Sequence, residues 1–362
     1  FDSLLYQQKE LLQILTSSFC NLLEQLIKVP PSIKRPTNMR FLLIGLLHPS
    51  TSSFEESFKF WTYLVTMIER MNAYSILAQW ISVLDRDFIL RVLDSLKDFL
   101  GMQTTKLGNL YSDEIVKSVK AIQIIWSAST RTKKLSFEHF YHEQINEKMD
   151  IKIEYSLAMQ SKERSKNSYS ESNQIWCYTG SAPFLLNADT KTNFLRHCSE
   201  KKQEKKFDLS LQMIEGNLCL VVRKKVFELK VNRKSILDDT YNQIFKLEDP
   251  KTELKKKLMV TFENEPAVDA GGVQREFFEL IVNELVSKEK KLFVTVGDFY
   301  WFNKDATDPK SLQYYKLAGI IIGMGIYNGN LINIRFPTIV YKRLKKMNVD
   351  FKDLNDYDSE IY

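Results

Sequence analysis

The sequence predicts a predominantly α protein with short β-strands and hairpins, an α+β chain. Phe (23) and Tyr (16) are plentiful over 362 residues while Gly (12) and Pro (9) are sparse. Stretches without helix breakers are therefore long, and they favour helices over a sandwich or barrel. Apolar residues recur at helical spacing through the first third, whereas short runs beyond Val226 alternate in strand fashion. With 44% hydrophobic residues the chain can bury a sizeable core and divides into two or three domain-sized units.

The first element is one long amphipathic helix. Leu4, Leu5, Leu11, Leu12, Leu15, Phe19, Leu22, Leu23 and Leu26 share its spacing, and Pro30-Pro31 stops it because the ring blocks continuation. Helical patterns recur at 38–47, 55–71, 75–84, 86–100 and 113–128, separated by Pro49, the Asp85 region and Gly101. No fixed period links them, so residues 1–130 read as an all-helical extension of irregular bundle type. Trp61, Trp80 and Trp126 exceed what a small bundle comfortably buries, and the extension is expected to pack on the region beyond residue 130. Residues 131–362 form the second domain, and within it the polar, Ser-rich stretch Ser161 to Asn173 reads as a mobile surface loop.

Phe227 to Val231 and Leu258 to Phe262 read as strands, and Ser235 as the cap of a helix between them. Leu292 to Val296 and Phe299 to Asn303 form a hairpin, since Gly297 suits the first central position of a two-residue turn. In Val268 to Phe278, Asp269 precedes Gly271 and Gly272; two glycines permit a turn with positive φ, and the Asp269 carboxylate can accept helix N-terminal amides. Val273, Phe277, Ile281, Val282 and Leu285 share one face of the helix that begins there. This strand, Gly-Gly turn and helix reads first as architecture, with a functional loop as the alternative. Gly319, Gly323 and Gly325 leave a strip without side chains on an apolar helix, allowing another backbone to approach. Asn328-Gly329-Asn330 turns the chain, and Pro337 fits the first turn of a helix running through Tyr341 to Lys346.

Charge excludes some functions. The 51 basic and 45 acidic residues are interspersed, so the net +6 is a mild excess, and no nucleic-acid partner is expected without clustered Arg and aromatic platforms. Lys201 to Lys206, Lys255 to Lys257 and Lys342 to Lys346 read as solvated helix faces or ends, with an anionic-partner patch as the alternative. The most apolar stretch, Leu317 to Ile326, is too short for a bilayer, so no membrane partner is expected. Cys20, Cys177, Cys198 and Cys219 lack C-x-x-C spacing, which favours a reducing, intracellular location in cytoplasm or nucleus. The absence of an initiator Met and of a leader pattern reads as an excised piece of a longer chain.

Candidate chemistry is sparse. Cys177 and Cys219 sit among apolar neighbours that keep a thiol neutral, and Cys198 follows His197 with no partnering acid in view. His139 and His142 share a spacing but lack further metal ligands, and they read as surface residues. No phosphate cradle, nucleophile elbow or zinc-protease helix is present, so no cofactor and no metal is expected.

Leu258-Met259-Val260-Thr261-Phe262, Val268 to Phe278, Tyr300-Trp301-Phe302-Asn303, Leu317 to Asn330 and Arg335-Phe336-Pro337, in that order, strongly resemble the amino-terminal lobe of the HECT family of ubiquitin ligases. Phe137-Glu138-His139-Phe140-Tyr141 resembles that lobe's opening. Leu77-Ala78-Gln79-Trp80 and Val92 to Leu100 look similar to the helical region before the lobe in the papillomavirus-associated member. The resemblance implies a two-lobed enzyme in which a cysteine takes ubiquitin from a ubiquitin-conjugating enzyme and passes it to a lysine of a protein substrate, by acyl transfer through a thioester. It places that cysteine beyond Tyr362, in a Thr-Cys-Phe-like setting that none of the four cysteines has. The subdomain that docks the conjugating enzyme would also start only near Tyr362. Asp269, Gly271, Gly272, Gly319, Gly323 and Pro337 are then structural residues of an incomplete lobe, preceded by a scaffolding or substrate-recruiting extension and inactive alone. Thr295 and Asp298 stand where some relatives place tyrosines of a noncovalent ubiquitin site, and no such site is carried over. The competing reading is a non-enzymatic helical interaction scaffold unrelated to ubiquitin.

Overall fold

A computed structural model describes residues 2–28, 39–46, 54–167, 175–204, 207–214, 217–224, 226–265 and 271–354. The chain divides into two compact units, Phe1–Phe194 and Leu195–Tyr362.

The first unit is helical: α1 (Asp2–Lys28), α2 (Arg40–Leu46), α3 (Phe54–Arg70), α4 (Tyr74–Ser82), α5 (Arg86–Leu107), α6 (Asp113–Thr132), α7 (Glu143–Lys148), α8 (Ile151–Asn167), the single turn α9 (Tyr178–Ser181), and α10 (Ala188–Glu204), within which the division falls. The apolar spacing read from the sequence becomes one core. Leu64, Ile68, Leu77, Leu93, Leu96, Ile122 and Ile125 are sealed from solvent. Trp61 is buried against Phe60 and Phe99.

Three expectations change here. Gly101 does not interrupt α5, which runs on to Leu107 and stops where Gly108 takes a left-handed φ of +69°. Gly101 instead makes room for Gln144, whose amide oxygen accepts from Thr104 Oγ at 2.6 Å. The first compact unit also extends past residue 130, because Trp126 stacks on Phe184 at 5.3 Å and meets Phe140 edge-on at 5.0 Å. Those rings supply the packing surface that the tryptophan count called for. Finally, residues 161–167 are the last turns of α8 and not loop. Their Lys, Glu and Arg are good helix formers that cost little in an exposed turn. Residues 168–173 of the expected loop lie outside the described residues.

The second unit joins short strands to helices. β1 (Phe207–Ile214) pairs antiparallel with β2 (Asn217–Lys224), β3 (Val226–Val231) pairs parallel with β4 (Lys257–Phe262), and β5 (Phe293–Val296) pairs antiparallel with β6 (Phe299–Phe302). The β3 to β4 crossover holds α11 (Ile236–Phe245) and the turn α12 (Pro250–Glu253); α13 (Gly272–Leu285), α14 (Pro309–Tyr327) and α15 (Thr338–Leu344) complete the unit. Leu229, Val231, Val260, Phe277, Ile281, Leu317 and Ile321 centre its core.

A two-stranded parallel ladder leaves both edges short of partners, and buried backbone groups need them. Side-chain amides fill the places of flanking strands. On β3, Lys230 N–H donates to Gln243 Oε1 at 3.2 Å while Gln243 Nε2 donates to the Lys230 carbonyl at 2.5 Å. On β4, Leu258 N–H donates to Asn328 Oδ1 at 3.3 Å and its carbonyl accepts from Gln274 Nε2 at 2.8 Å. Ser235 stands at the start of α11, but its hydroxyl donates to Asp239 at 2.8 Å and caps no amide.

Candidate functional site

The sequence blocks that stand apart in the chain converge in the second unit. Gly271 takes a φ of +95° as the residue before α13, so the turn into that helix needs a residue without Cβ. Gly272 does not share this requirement: it is the first residue of α13, and a Cβ there would meet nothing within 4 Å. Asp269 lies outside the described residues. From the turn, α13 buries Phe277, Phe278, Ile281, Val282 and Leu285. Val273 is half-buried. Gln274, also buried, ties β4 to the turn after α14, since Asn330 Nδ2 donates to Gln274 Oε1 at 3.4 Å.

The glycines of α14 divide by face. Gly319 and Gly323 are exposed, and a Cβ on either would stand in open space, so no backbone approaches them as the sequence reading expected. The close approach is at Gly325, where a Cβ would come within 2.3 Å of Ile332 Cδ1 and 3.5 Å of Phe278 Cδ1. Asn328 ends α14, and Gly329 turns the chain with a φ of +72°. The segment after it returns to the hairpin. Arg335 carbonyl accepts from Tyr300 N–H at 2.8 Å, and the Phe336 ring stacks on Phe302 at 6.1 Å. Pro337 is buried one residue ahead of α15, which ends at Leu344. Gly297, with φ +55°, closes β5 onto β6 as the turn chemistry required.

Arg233 braces the entry to this region. Its Nε and NH2 donate to Glu265 at 2.5 and 3.0 Å, its NH1 to Glu276 at 2.7 Å, and its guanidinium lies 4.2 Å from the centre of the Phe262 ring. Glu265 precedes the Gly271 turn and Glu276 comes after it, so one cation bridges both sides. The Arg233 bond holds the Glu265 carboxyl below its usual range. No sequence signal marked Arg233; a basic residue next to a helix start reads as surface until the fold brings two carboxylates to it.

Cys20 and Cys177 are buried, and burial pushes the Cys177 thiol up, which disfavours thiolate. Cys198 is half-buried in α10, and Cys219 belongs to β2 with its side chain outside the described residues. His139 Nδ1 meets Ser136 Oγ at 2.8 Å near the surface. His142, read as a surface residue, is buried: its Nδ1 accepts from Ile145 N–H at 3.4 Å to cap α7, and its Nε2 donates to the Lys97 carbonyl at 3.1 Å. It lines an open cleft of about 800 Å³ in the first unit with Lys97, Gly101, Thr105, Tyr141 and Gln144. Among the described residues no His, Cys, Asp or Glu group could hold a metal ion, and no helix is long and apolar enough to cross a membrane. The blocks of the second unit therefore meet in one packed region built on α13, α14 and the β5–β6 hairpin.

Residues 279–362 match the family described as HECT-domain (ubiquitin-transferase). Over 373 aligned residues the chain is 26% identical to the Probable E3 ubiquitin-protein ligase HERC3 of Homo sapiens, covering 98% of this chain and 35% of that protein. It is 29% identical over 187 residues to the Probable E3 ubiquitin-protein ligase mug30 of Schizosaccharomyces pombe, covering 50% of this chain and 22% of that protein. Against the E3 ubiquitin-protein ligase RSP5 of Saccharomyces cerevisiae it is 33% identical over 138 residues, 37% of this chain and 17% of that protein. The chain thus spans about a third of the length of the human relative it matches.

Proposed function

We propose that the chain belongs to the HECT family and is the positional part of a ubiquitin-protein ligase whose catalytic thiol lies outside these 362 residues. The reaction is a double acyl transfer. A ligase thiolate attacks the thioester carbonyl of ubiquitin on a ubiquitin-conjugating enzyme, a new C–S bond forms and the conjugating enzyme's thiolate leaves. A substrate lysine amine then attacks that second thioester, the C–N bond forms, the ligase thiolate leaves and the amine gives up its proton. In this reading residues 1–130 hold or recruit the protein substrate, residues 131–362 carry the other parts, and the protein works in the cytoplasm or nucleus. The gain it provides is proximity, and none of its own side chains supplies chemistry.

The observation that carries the proposal is the convergence of the HECT-like blocks into one packed region while Cys20 and Cys177 stay buried. Incubation with activating enzyme, a panel of conjugating enzymes and ubiquitin should yield no reductant-sensitive adduct on this chain. An adduct lost on mutating Cys20, Cys177, Cys198 or Cys219 would overturn the assignment. The full gene product, trapped with ubiquitin in cells, is expected to form one on a different cysteine.

A further inference from the structure

One helix of the first unit, α1, is apolar on two faces. The face that carries Thr16, Cys20 and Leu23 is buried in the core of the unit, and beside it Phe19 meets Phe60 of α3 at 5.8 Å. On the opposite face Ile14, Leu15 and Leu22 are 63, 56 and 46% exposed, with Ser18, Asn21 and Gln25 exposed among them. At about 100° per residue these six positions share one stripe along the helix. No Asp, Glu, Lys, Arg or His lies between Glu10 and Glu24. A helix face left to water ordinarily carries charge, so this stripe has the composition of a covered face.

The stripe is also symmetric about its middle. Ile14, Ser18 and Leu22 follow one another at i, i+4 and i+8, a single ridge of the kind that interdigitates with a second such ridge. Two copies of α1 crossing antiparallel at Ser18 set Ile14 of each against Leu22 of the other, and the short Ser18 side chains at the crossing let the backbones approach. A two-fold axis brings each residue near it against its own kind, so a charge there would meet a like charge. The stripe has none. The nearest charges toward the helix end, Glu24 and Lys28, pair with each other at 3.2 Å.

We propose that the outward face of α1 joins two copies of this chain in an antiparallel helix pair centred on Ser18. A membrane surface is disfavoured, because an interfacial helix flanks its apolar stripe with Lys and Arg, and no cation stands between Leu11 and Leu23. An unlike partner would not need the stripe to read the same in both directions, whereas a second copy does. The three described apolar side chains of each copy make a small interface, so the dimer forms in the micromolar range.

Sedimentation velocity of the whole chain, from low to high micromolar concentration, tests this. The parent is expected to pass from monomer to dimer as concentration rises. Ser18→Glu, a change at an exposed position, sets two carboxylates against each other across the axis and should weaken the dimer roughly tenfold or more; Ser18→Lys should do the same with two ammonium groups. An equal mixture of the two variants should recover the dimer, because opposite charges then meet at the crossing. Val83→Glu, at another exposed apolar position of the unit, should leave dimerisation within about twofold of the parent. Matched thermal melts show that the variants fold. A parent that stays monomeric throughout, a dimer untouched by Ser18→Glu, or a mixture that dimerises no better than its components would each overturn the proposal.

Discussion

Each unit holds a carboxylate or guanidinium in a dense set of partners, Glu154 in the first and Arg233 in the second, but in opposite surroundings. In the first, a carboxylate sits at the centre of the structure: Glu154 is fully buried, and it accepts from Tyr111 Oη at 3.0 Å, Tyr178 N–H at 3.3 Å, and Thr179 N–H and Oγ at 2.7 Å each. Four donors from two segments surround one side chain of α8. Burial, and then the carboxylate, push the Tyr111 and Tyr178 hydroxyls up from their ordinary range, so both stay protonated as donors. In the second unit Arg233 forms a charge cluster at the surface with Glu265 and Glu276, while the buried Asp353 is paired with Lys342. Water screens such a cluster and replaces any partner it loses. A buried carboxylate has no such substitute. Glu154 is therefore expected to be sensitive to truncation and Arg233 tolerant of it.

The largest effect that would break this contrast is at Glu154. Replacing it with Ala leaves the Tyr178 and Thr179 amides unpaired in the core and should cost about 3 kcal/mol or more. Chemical denaturation, read by a probe in the first unit, measures this as a drop in midpoint; a loss no larger than that of the Arg233→Ala variant would remove the distinction.

Glycines sharpen the comparison within the second unit. Gly325→Ala drives a Cβ into Ile332 and is expected to cost roughly 1 to 3 kcal/mol, and Gly271→Ala about 1 to 2 kcal/mol for its left-handed backbone. Gly319→Ala, Gly323→Ala and Gly272→Ala should be neutral or stabilise by up to about 1 kcal/mol, since each removes helical glycine entropy into open space. Thermal melts of the five variants rank them, and a destabilised Gly319→Ala would show that something covers that outward face.

The smallest expected effect is a pH dependence of the first unit. Burial pushes the His142 imidazole below its ordinary 6.5, more than its bond to the Lys97 carbonyl lifts it. A depressed folded-state value means that the neutral ring is the native form. Its contribution is present above pH 6.5 and is lost as pH falls from there through the folded value. Asp98, Glu143 and Lys97 face the same cleft. His142→Asn, which keeps a capping oxygen without a titrating group, should flatten the stability profile between about pH 7 and 5 relative to the parent. An unchanged slope would assign the dependence to another residue.

Periodicity determined much of this protein unaided. The helices from Phe54 to Thr132, the strands Val226–Val231 and Lys257–Phe262 and the hairpin around Gly297 are dictated by apolar spacing and turn chemistry, which act between near neighbours. The HECT resemblance was equally legible, because its blocks are words of local sequence. What only the tertiary structure decided is which of several like residues bears a load. Three glycines on α14 look alike in sequence, yet Ile332 approaches only Gly325. Trp126 could have faced any apolar surface until Phe140 and Phe184 came to it from beyond residue 130, moving the unit boundary to Phe194. Glu154, Gln274 and Arg233 carried no local signal at all. Their partners lie 16 to 56 residues away in sequence, and a hydrogen bond or ion pair of that span is specified by the packed fold and by nothing within a helical turn of the residue itself.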